Sequence, residues 1–324
     1  MYFNKKNNFF HGIMFHHFHD NKKHIKSQGS INAKQFEKLI NCVGVNNILP
    51  PHEFIKKLRT KKLKKNHLCL TFDDSLKCQF DIAFPVMEKF NLKAFFFVTS
   101  STLTQNSDKL ELYRYFRHKF YSNMNQFYKD FFNMLSLSFK KINIKEFLNS
   151  KKKLIQVFKK KHPMYTKNDI EFRMIRDRLI NKKMYEFIML KMFKKKRFNY
   201  KKKIKELYLS KDNIKSLSSS GNEIGLHSHT HPTMFENLNQ SNQKKEYQLN
   251  KKILEKLINK KILSMSHPSG SYNQKTLKIL KNIGIKIGFK QIMTKDRNMK
   301  KINNSTLEIA RANHSEIIRK HKIN

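Results

Sequence analysis

The sequence predicts an α/β domain whose repeated strand, helix, strand units suggest a barrel, interrupted by a long, mainly helical insertion. Three observations carry this. Short apolar runs end abruptly in polar residues, as buried strands do where they deliver side chains to a sheet edge. Between those runs lie stretches with apolar residues at helical spacing, which is the parallel unit of α/β proteins. From residue 104 to 220 the texture changes: Lys, Phe, Met, Leu and Ile dominate, glycine is absent until Gly221, and only Pro163 interrupts. The expected division is 1–103 for the first part of the barrel, 104–220 for a basic helical insertion or lid, and 221–324 for the second part.

The first element is a strand, His11-Gly12-Ile13-Met14-Phe15, running into the polar cluster His16-His17-Phe18-His19-Asp20. Its histidines read either as strand-end surface groups or as site residues, with His17 the preferred site candidate. Ser30 to Val43 reads as a capped helix, with Ser30 or Asn32 ahead of Phe36, Leu39, Ile40 and Val43. Pro51 to Leu58 is a second helix, opened by a proline whose missing amide costs little there.

Leu68-Cys69-Leu70-Thr71-Phe72-Asp73-Asp74-Ser75 is the stretch around which the chain is organised. Two adjacent carboxylates at the end of an apolar strand repel and lose hydration, so a cation, a proton or exposure must relieve them. Phe80 to Phe90 then carries a helical stripe of Ala83, Met87 and Phe90, and Lys93 to Thr99 is a buried strand.

In the insertion, Phe116, Phe120, Phe127, Tyr128, Phe131 and Phe132 fall at helical spacing and are expected to form its core. Arg114 and Arg117 are read either as a solvated helix face or as holding an anionic substrate group. Basic runs occur at 151–153, 159–161, 194–197 and 201–203.

The barrel resumes with Glu223-Ile224-Gly225-Leu226 and then three alternating histidines, His227, His229 and His231, before Pro232. A helix is expected over 243–259, a strand over 262–267, the loop Pro268-Ser269-Gly270-Ser271-Tyr272-Asn273, a helix over 274–283 and a strand over 285–289. Leu307 to Arg311 is expected to close the sheet before a loose basic tail. Imidazole and carboxylate together suit a divalent ion of the zinc class, with roughly three protein ligands and one position for water. One acid and two histidines would bind the ion, leaving the second acid as a base.

At these residues the chain resembles the polysaccharide deacetylases with the NodB homology domain, carbohydrate esterase family 4. Thr71-Phe72-Asp73-Asp74 matches that family's Thr-Phe-Asp-Asp motif, and His227-Ser228-His229-Thr230-His231 matches its His-(Ser/Thr)-x-x-His motif. The resemblance implies a distorted (β/α) barrel of the NodB type with the site at the C-terminal ends of the strands. It implies Asp73 as catalytic base and Asp74, His227 and His231 as metal ligands, with His229 pointing elsewhere. The cofactor implied is a divalent ion, Zn2+ first, with Co2+, Ni2+, Mn2+ and Fe2+ as alternatives. The activity implied is removal of N-acetyl or similar acyl groups from an acetamido sugar, glycan or glycan precursor.

The match thins elsewhere. Pro268 and Gly270 fit the third motif, but Ser266 stands where the family has the arginine that orients the base, and Ser269 where it has an aromatic residue. Either Arg311 or His267 is the expected substitute for that arginine, or the base is less constrained. Pro268, Ser269, Tyr272 and Arg311 are the expected substrate-binding residues. The fourth motif's tryptophan is missing, since the chain has none. His17 or His314 is expected to replace the fifth motif's acidic histidine.

The hydrophobic fraction of 39%, with 28 Phe, supports a packed globule and excludes wholesale disorder. Net charge is +44, but lysines are scattered through almost every segment, as a composition-wide bias would scatter them. An anionic membrane surface or polyanion is therefore a partner only through the insertion, and no specific nucleic acid is expected. The 3 cysteines show no CxxC spacing, and neither a secretory h-region nor an apolar run of ~20 residues occurs. A cytoplasmic protein, at most peripheral to a membrane, is the expectation. Two rival functions are hydrolysis of another non-peptide C–N bond on the same fold, and a non-catalytic basic protein binding nucleic acid or anionic membrane.

Overall fold

The computed structural model describes residues 9–20, 22–104, 109–161, 165–292 and 302–323. Seven parallel strands form a closed barrel in sequence order: β1 Gly12–Phe15, β2 Cys69–Phe72, β3 Phe95–Val98, β4 Glu223–Leu226, β5 Ser264–Ser266, β6 Ile287–Gln291 and β7 Ile309–Asn313. Closure comes from β7 pairing with β1, Arg311 opposite Gly12. The architecture is the distorted (β/α) barrel of the NodB type that the resemblance implied.

Alternation along each strand separates two apolar layers. Phe95, Phe97, Ile287, Phe289 and Ile309 pack in one buried cluster with Phe54 and Leu58 of helix α2 (α1 is Ala33–Val43, α2 Pro51–Arg59). The other face carries Phe72, stacked on Phe96 at 4.6 Å, and Phe15, which meets Phe36 of α1 at 5.0 Å. Each such side chain contributes about 1.5–3 kcal/mol when fully buried. Asn32 caps α1 by accepting from the Gln35 amide while Gln35 returns a bond to the Asn32 amide, so of the two expected caps Asn32 is the one used.

After β2 the chain winds through a π-helical turn, Gln79–Ala83, into α3, Phe84–Lys89. Pro85 cannot donate to the preceding turn, which explains a wider turn ahead of it. In the second half, α11 Lys211–Ser219, α12 Gln240–Ile258 and α13 Gln274–Asn282 flank β4 to β6. The tail expected to be loose instead forms α14, His314–Lys320, because Asn313 caps its first turn and His314 bonds the β1 carbonyl of Met14.

Two compact units emerge: residues 1–108 with 207–324, and Lys109–Glu206. Helix α11, which the sequence reading assigned to the insertion, belongs to the first. The second contains α4 Leu110–Phe120, α5 Met124–Ser138, α6 Ile144–Ser150, α7 Lys152–Lys161, α8 Lys167–Met174 and α9 Lys182–Lys195, with α10, Tyr200–Leu207, at the boundary. Phe116, Phe127, Tyr128 and Phe131 are buried in it, with Phe120 and Phe132 half-buried at the edge. Arg117 is half-buried, its guanidinium over Phe127 and Phe172. Among the described residues no helix is long and apolar enough to cross a membrane.

Candidate metal centre and active site

The strand ends meet where the backbone is most constrained. Asp74, Ser75, Ser228, His231 and Ser269 all adopt left-handed conformations, with φ of 73°, 59°, 61°, 52° and 52°. Non-glycine residues hold such angles only where surrounding contacts enforce them, and such residues cluster at functional sites. At β2 the two left-handed residues reverse the chain directly after Asp73. Gln79 from the π-helical turn ties the reversal down, donating to the carbonyls of Asp73 at 2.6 Å and His16 at 3.0 Å.

Asp74 Oδ1 lies 3.2 Å from His227 Nε2 and 3.4 Å from His231 Nε2. One ligand atom from each of the three residues falls within 4.8 Å of the others. Bonds of ~2.1 Å at a tetrahedral centre put neighbouring donors roughly 3.4 Å apart, so the set is dimensioned for one divalent ion. His227 Nδ1 is 3.0 Å from the Ser266 carbonyl, to which it donates; that fixes the tautomer and leaves the Nε2 lone pair for the centre. Burial would raise the Asp74 carboxyl, but His16, His227 and His231 hold it well below the usual 3.8. His227 moves the other way: burial lowers its pKa, and Asp73 and Asp74 raise it to a net upward shift.

Asp73 points into the barrel and is locked. Arg311 Nη1 and Nη2 donate to its two oxygens at 2.7 and 2.8 Å, and Ser266 Oγ adds a bond at 3.2 Å. Arg311, fully buried, also donates to Thr71 Oγ1 and Ser266 Oγ. Its stem crosses the barrel beside Gly12, where a Cβ would sit 2.5 Å from Arg311 Cγ. Burial favours the neutral acid, yet the guanidinium outweighs it and Asp73 is held below 3.8. Of the two expected substitutes for the family's arginine, Arg311 makes the contact. His267 bonds the Leu307 carbonyl at 2.9 Å and stacks on Tyr272 at 4.0 Å.

The histidine loop is gripped from outside the motif. Glu246 of α12 accepts from the amides of His229 and Thr230 at 2.9 and 2.8 Å and from Thr230 Oγ1 at 2.7 Å. Ser228 Oγ accepts from the His231 amide at 3.1 Å. The His229 ring is drawn off to Ser100 Oγ, 2.9 Å away.

Of the two histidines expected as acid, His314 has no nitrogen to offer. It is buried, with Nδ1 3.0 Å from the Met14 carbonyl and Nε2 2.9 Å from that of Gly29, so that expectation is corrected. His17 stacks beside His16 at 6.1 Å. His16 faces both acids, its Nε2 3.7 Å from Asp74 Oδ2 and 4.0 Å from Asp73 Oδ2. Pro268 and Ser269 form a tight turn after β5 with Ser269 exposed, and Tyr272 donates to Glu308 at 3.0 Å. The sequence reading passed over His16, Ser266 and Glu246 as contributors. For His16 the signal was its place directly after the strand; Glu246 sits mid-helix and carries none.

The sequence model described as polysaccharide deacetylase matches residues 60–166 and 181–288, more than half of the chain. Among solved structures, the Streptococcus pyogenes deacetylase PplD in complex with acetate is 15% identical at a TM-score of 0.53, covering 96% of each chain. IcaB from Ammonifex degensii is 12% identical at 0.54, covering 94% of this chain and 91% of its own. The de-N-acetylase from Aggregatibacter actinomycetemcomitans is 13% identical at 0.52, covering 96% and 98%. At such identities these likenesses speak to the fold. No curated protein sequence matches the chain. With two thirds of its length under the family's sequence model and both acidic and histidine motifs converging at one end of the barrel, this chain belongs to the polysaccharide deacetylase family.

Proposed function

We propose that the protein is a metal-dependent hydrolase that removes N-acetyl groups from an acetamido sugar, as part of a glycan or glycan precursor. The observation that carries this reading is the convergence of Asp74, His227 and His231 within 4.8 Å, beside an Asp73 held by Arg311. Asp74, His227 and His231 would hold the ion, and their one-oxygen, two-nitrogen set suits Zn2+ or another late first-row divalent ion. Such an ion, when bound, polarises the amide carbonyl and lowers the pKa of its water toward ~7.

The remaining chemistry belongs to the chain. Asp73 accepts the proton of the attacking water; its low pKa keeps it ionised, and Arg311 keeps both oxygens in register. The leaving amine needs a proton, and His16, half-exposed and facing both acids, is better placed to give it than His17, its stacked neighbour. Pro268, Ser269 and Tyr272 line the turn expected to meet the sugar. Because Arg311 and Ser266 together bond the Asp73 carboxylate, the absence of the family's arginine at 266 does not favour a different C–N substrate.

Acetate release from acetamido sugars by the metal-loaded protein tests this directly. Asp73→Asn is expected to reduce turnover by about 10² to 10⁴ while metal content is retained. Asp74→Ala should abolish both. A wild type that takes up no metal under replete conditions, or releases no acetate, rejects the proposal.

A further inference from the structure

Two arms of the chain leave the metal centre and meet again outside it. One runs on from His231 through a 3-10 turn, Phe235–Asn237, to helix α12. The other leaves β5 at Ser266, whose hydroxyl bonds Asp73 and whose carbonyl accepts from His227, and passes through the turn Pro268–Gly270 into α13. The first arm is a fixed post. Phe235 is fully buried and packs on Tyr247 of α12 at 4.9 Å, and Gln243 of the same helix donates to the Leu238 carbonyl at 2.9 Å. The second arm needs support. Ser269 and Gly270 are both left-handed, at φ of 52° and 67°, and an exposed serine keeps that conformation only where its surroundings impose it. The Gly270 and Ser271 amides close on the His267 and Pro268 carbonyls at 3.0 and 2.9 Å, bonds that shape the turn without anchoring it.

Glu236 supplies an anchor. Its amide donates to Ser271 Oγ at 3.0 Å, Ser271 Oγ returns a bond to the Glu236 carboxylate, and Asn273 Nδ2 donates to the Glu236 carbonyl at 3.1 Å. The amide, carboxylate and carbonyl of one residue are thus engaged by two residues just beyond the turn. Between segments 35 positions apart, the pairing repeats the reciprocal exchange of a helix capping box. The carboxylate makes its bond to Ser271 a charge-assisted one. Asn273 also accepts from the Thr276 amide at 3.1 Å, capping α13, so the anchor extends to that helix.

We propose that Glu236 is a positioning residue for the acetamido sugar, setting the Pro268–Ser269 turn in place beside the metal centre. The assignment rests on the deacetylase activity proposed for this site. Two glutamates then divide the work. Glu246 grips the loop between the ligands His227 and His231, with Ser228 Oγ holding the His231 amide, whereas Glu236 grips the turn that meets the sugar. Loss of Glu236 therefore weakens substrate binding and spares the metal.

Acetate release from the trisaccharide of N-acetylglucosamine, with KM and kcat separated, tests the assignment. Glu236→Ala is expected to raise KM about tenfold, as loss of a charge-assisted hydrogen bond does, with kcat changed less than about threefold. Zinc affinity, measured against a chromophoric chelator, should stay at the wild-type value. Glu236→Gln, whose amide oxygen still accepts from Ser271, should recover most of the loss. Ser271→Ala should raise KM in the same way, and the double variant should fall short of the product of the two, since both remove one bond. Amide exchange followed by mass spectrometry should quicken over 268–273 in each alanine variant and stay unchanged over 227–231. A thermal melt accompanies every variant; should Glu236→Ala not fold, Ser271→Ala decides through KM and exchange. Acetate release with KM unmoved, zinc affinity falling with KM, multiplicative effects in the double variant, or unmoved exchange over the turn each overturns the assignment and leaves the deacetylase activity standing. A wild type that releases no acetate overturns that activity first, and the assignment with it.

Discussion

Asp73 and Arg311 are the residue pair on which the proposed chemistry turns. A planar fork meets both carboxylate oxygens at 2.7 and 2.8 Å, which a lysine cannot imitate. Arg311→Lys is expected to lower kcat more than it raises KM, and to destabilise the fold by a few kcal/mol, about 3–5 if the buried charge is left unpaired. Steady-state kinetics and a denaturant titration check this. Gly12→Ala should produce the same kinetic defect from the other side, by pushing a Cβ into the Arg311 stem. His267 supplies a pH signature. Burial drives its pKa down to about 4, so the folded state keeps it neutral while the unfolded chain protonates near 6.5. Its contribution to stability is complete above pH 6.5 and falls away as pH drops toward 4, by up to about 3 kcal/mol. His267→Phe, which preserves the stack on Tyr272, should reduce the pH dependence of the unfolding midpoint across that window and leave the share of His314, which burial also pushes down to about 4.

At the scale of elements, strands deliver the ligands and helices hold the loops in shape. Glu246, in the first half of α12, captures two loop amides and a hydroxyl between His227 and His231. Its removal leaves those donors without a partner and frees the left-handed His231 backbone. Glu246→Ala is expected to weaken metal affinity by about 10- to 100-fold, the usual cost of losing an outer support, while the barrel still folds. Competition with a chromophoric chelator measures it; unchanged affinity would mean that the loop holds its shape without the helix. The strands were readable because their apolar runs stop sharply at polar residues. The end of the chain was not, since α14 depends on an asparagine cap and on His314 reaching the β1 carbonyl of Met14.

Over the whole molecule, two units with separate cores should not melt as one. Calorimetry is expected to show two transitions, of which added Zn2+ raises only the one belonging to the barrel, by mass action on the folded state. Asp74→Ala should remove that shift and leave the other transition where it was. A single transition that moves as a whole with zinc would mean that the two cores unfold together.

Local chemistry was enough to announce the strands, the acid pair and the histidine loop, because apolar periodicity and motif spacing are written along the chain. The convergence of Asp74 with His227 across 153 positions, the choice of Arg311 over His267 beside Asp73, and the exclusion of His314 were decided only by folding. Those outcomes depend on which strands become neighbours when the barrel closes and on which side chains are left with unspent hydrogen bonds. Neither quantity exists until distant segments pack.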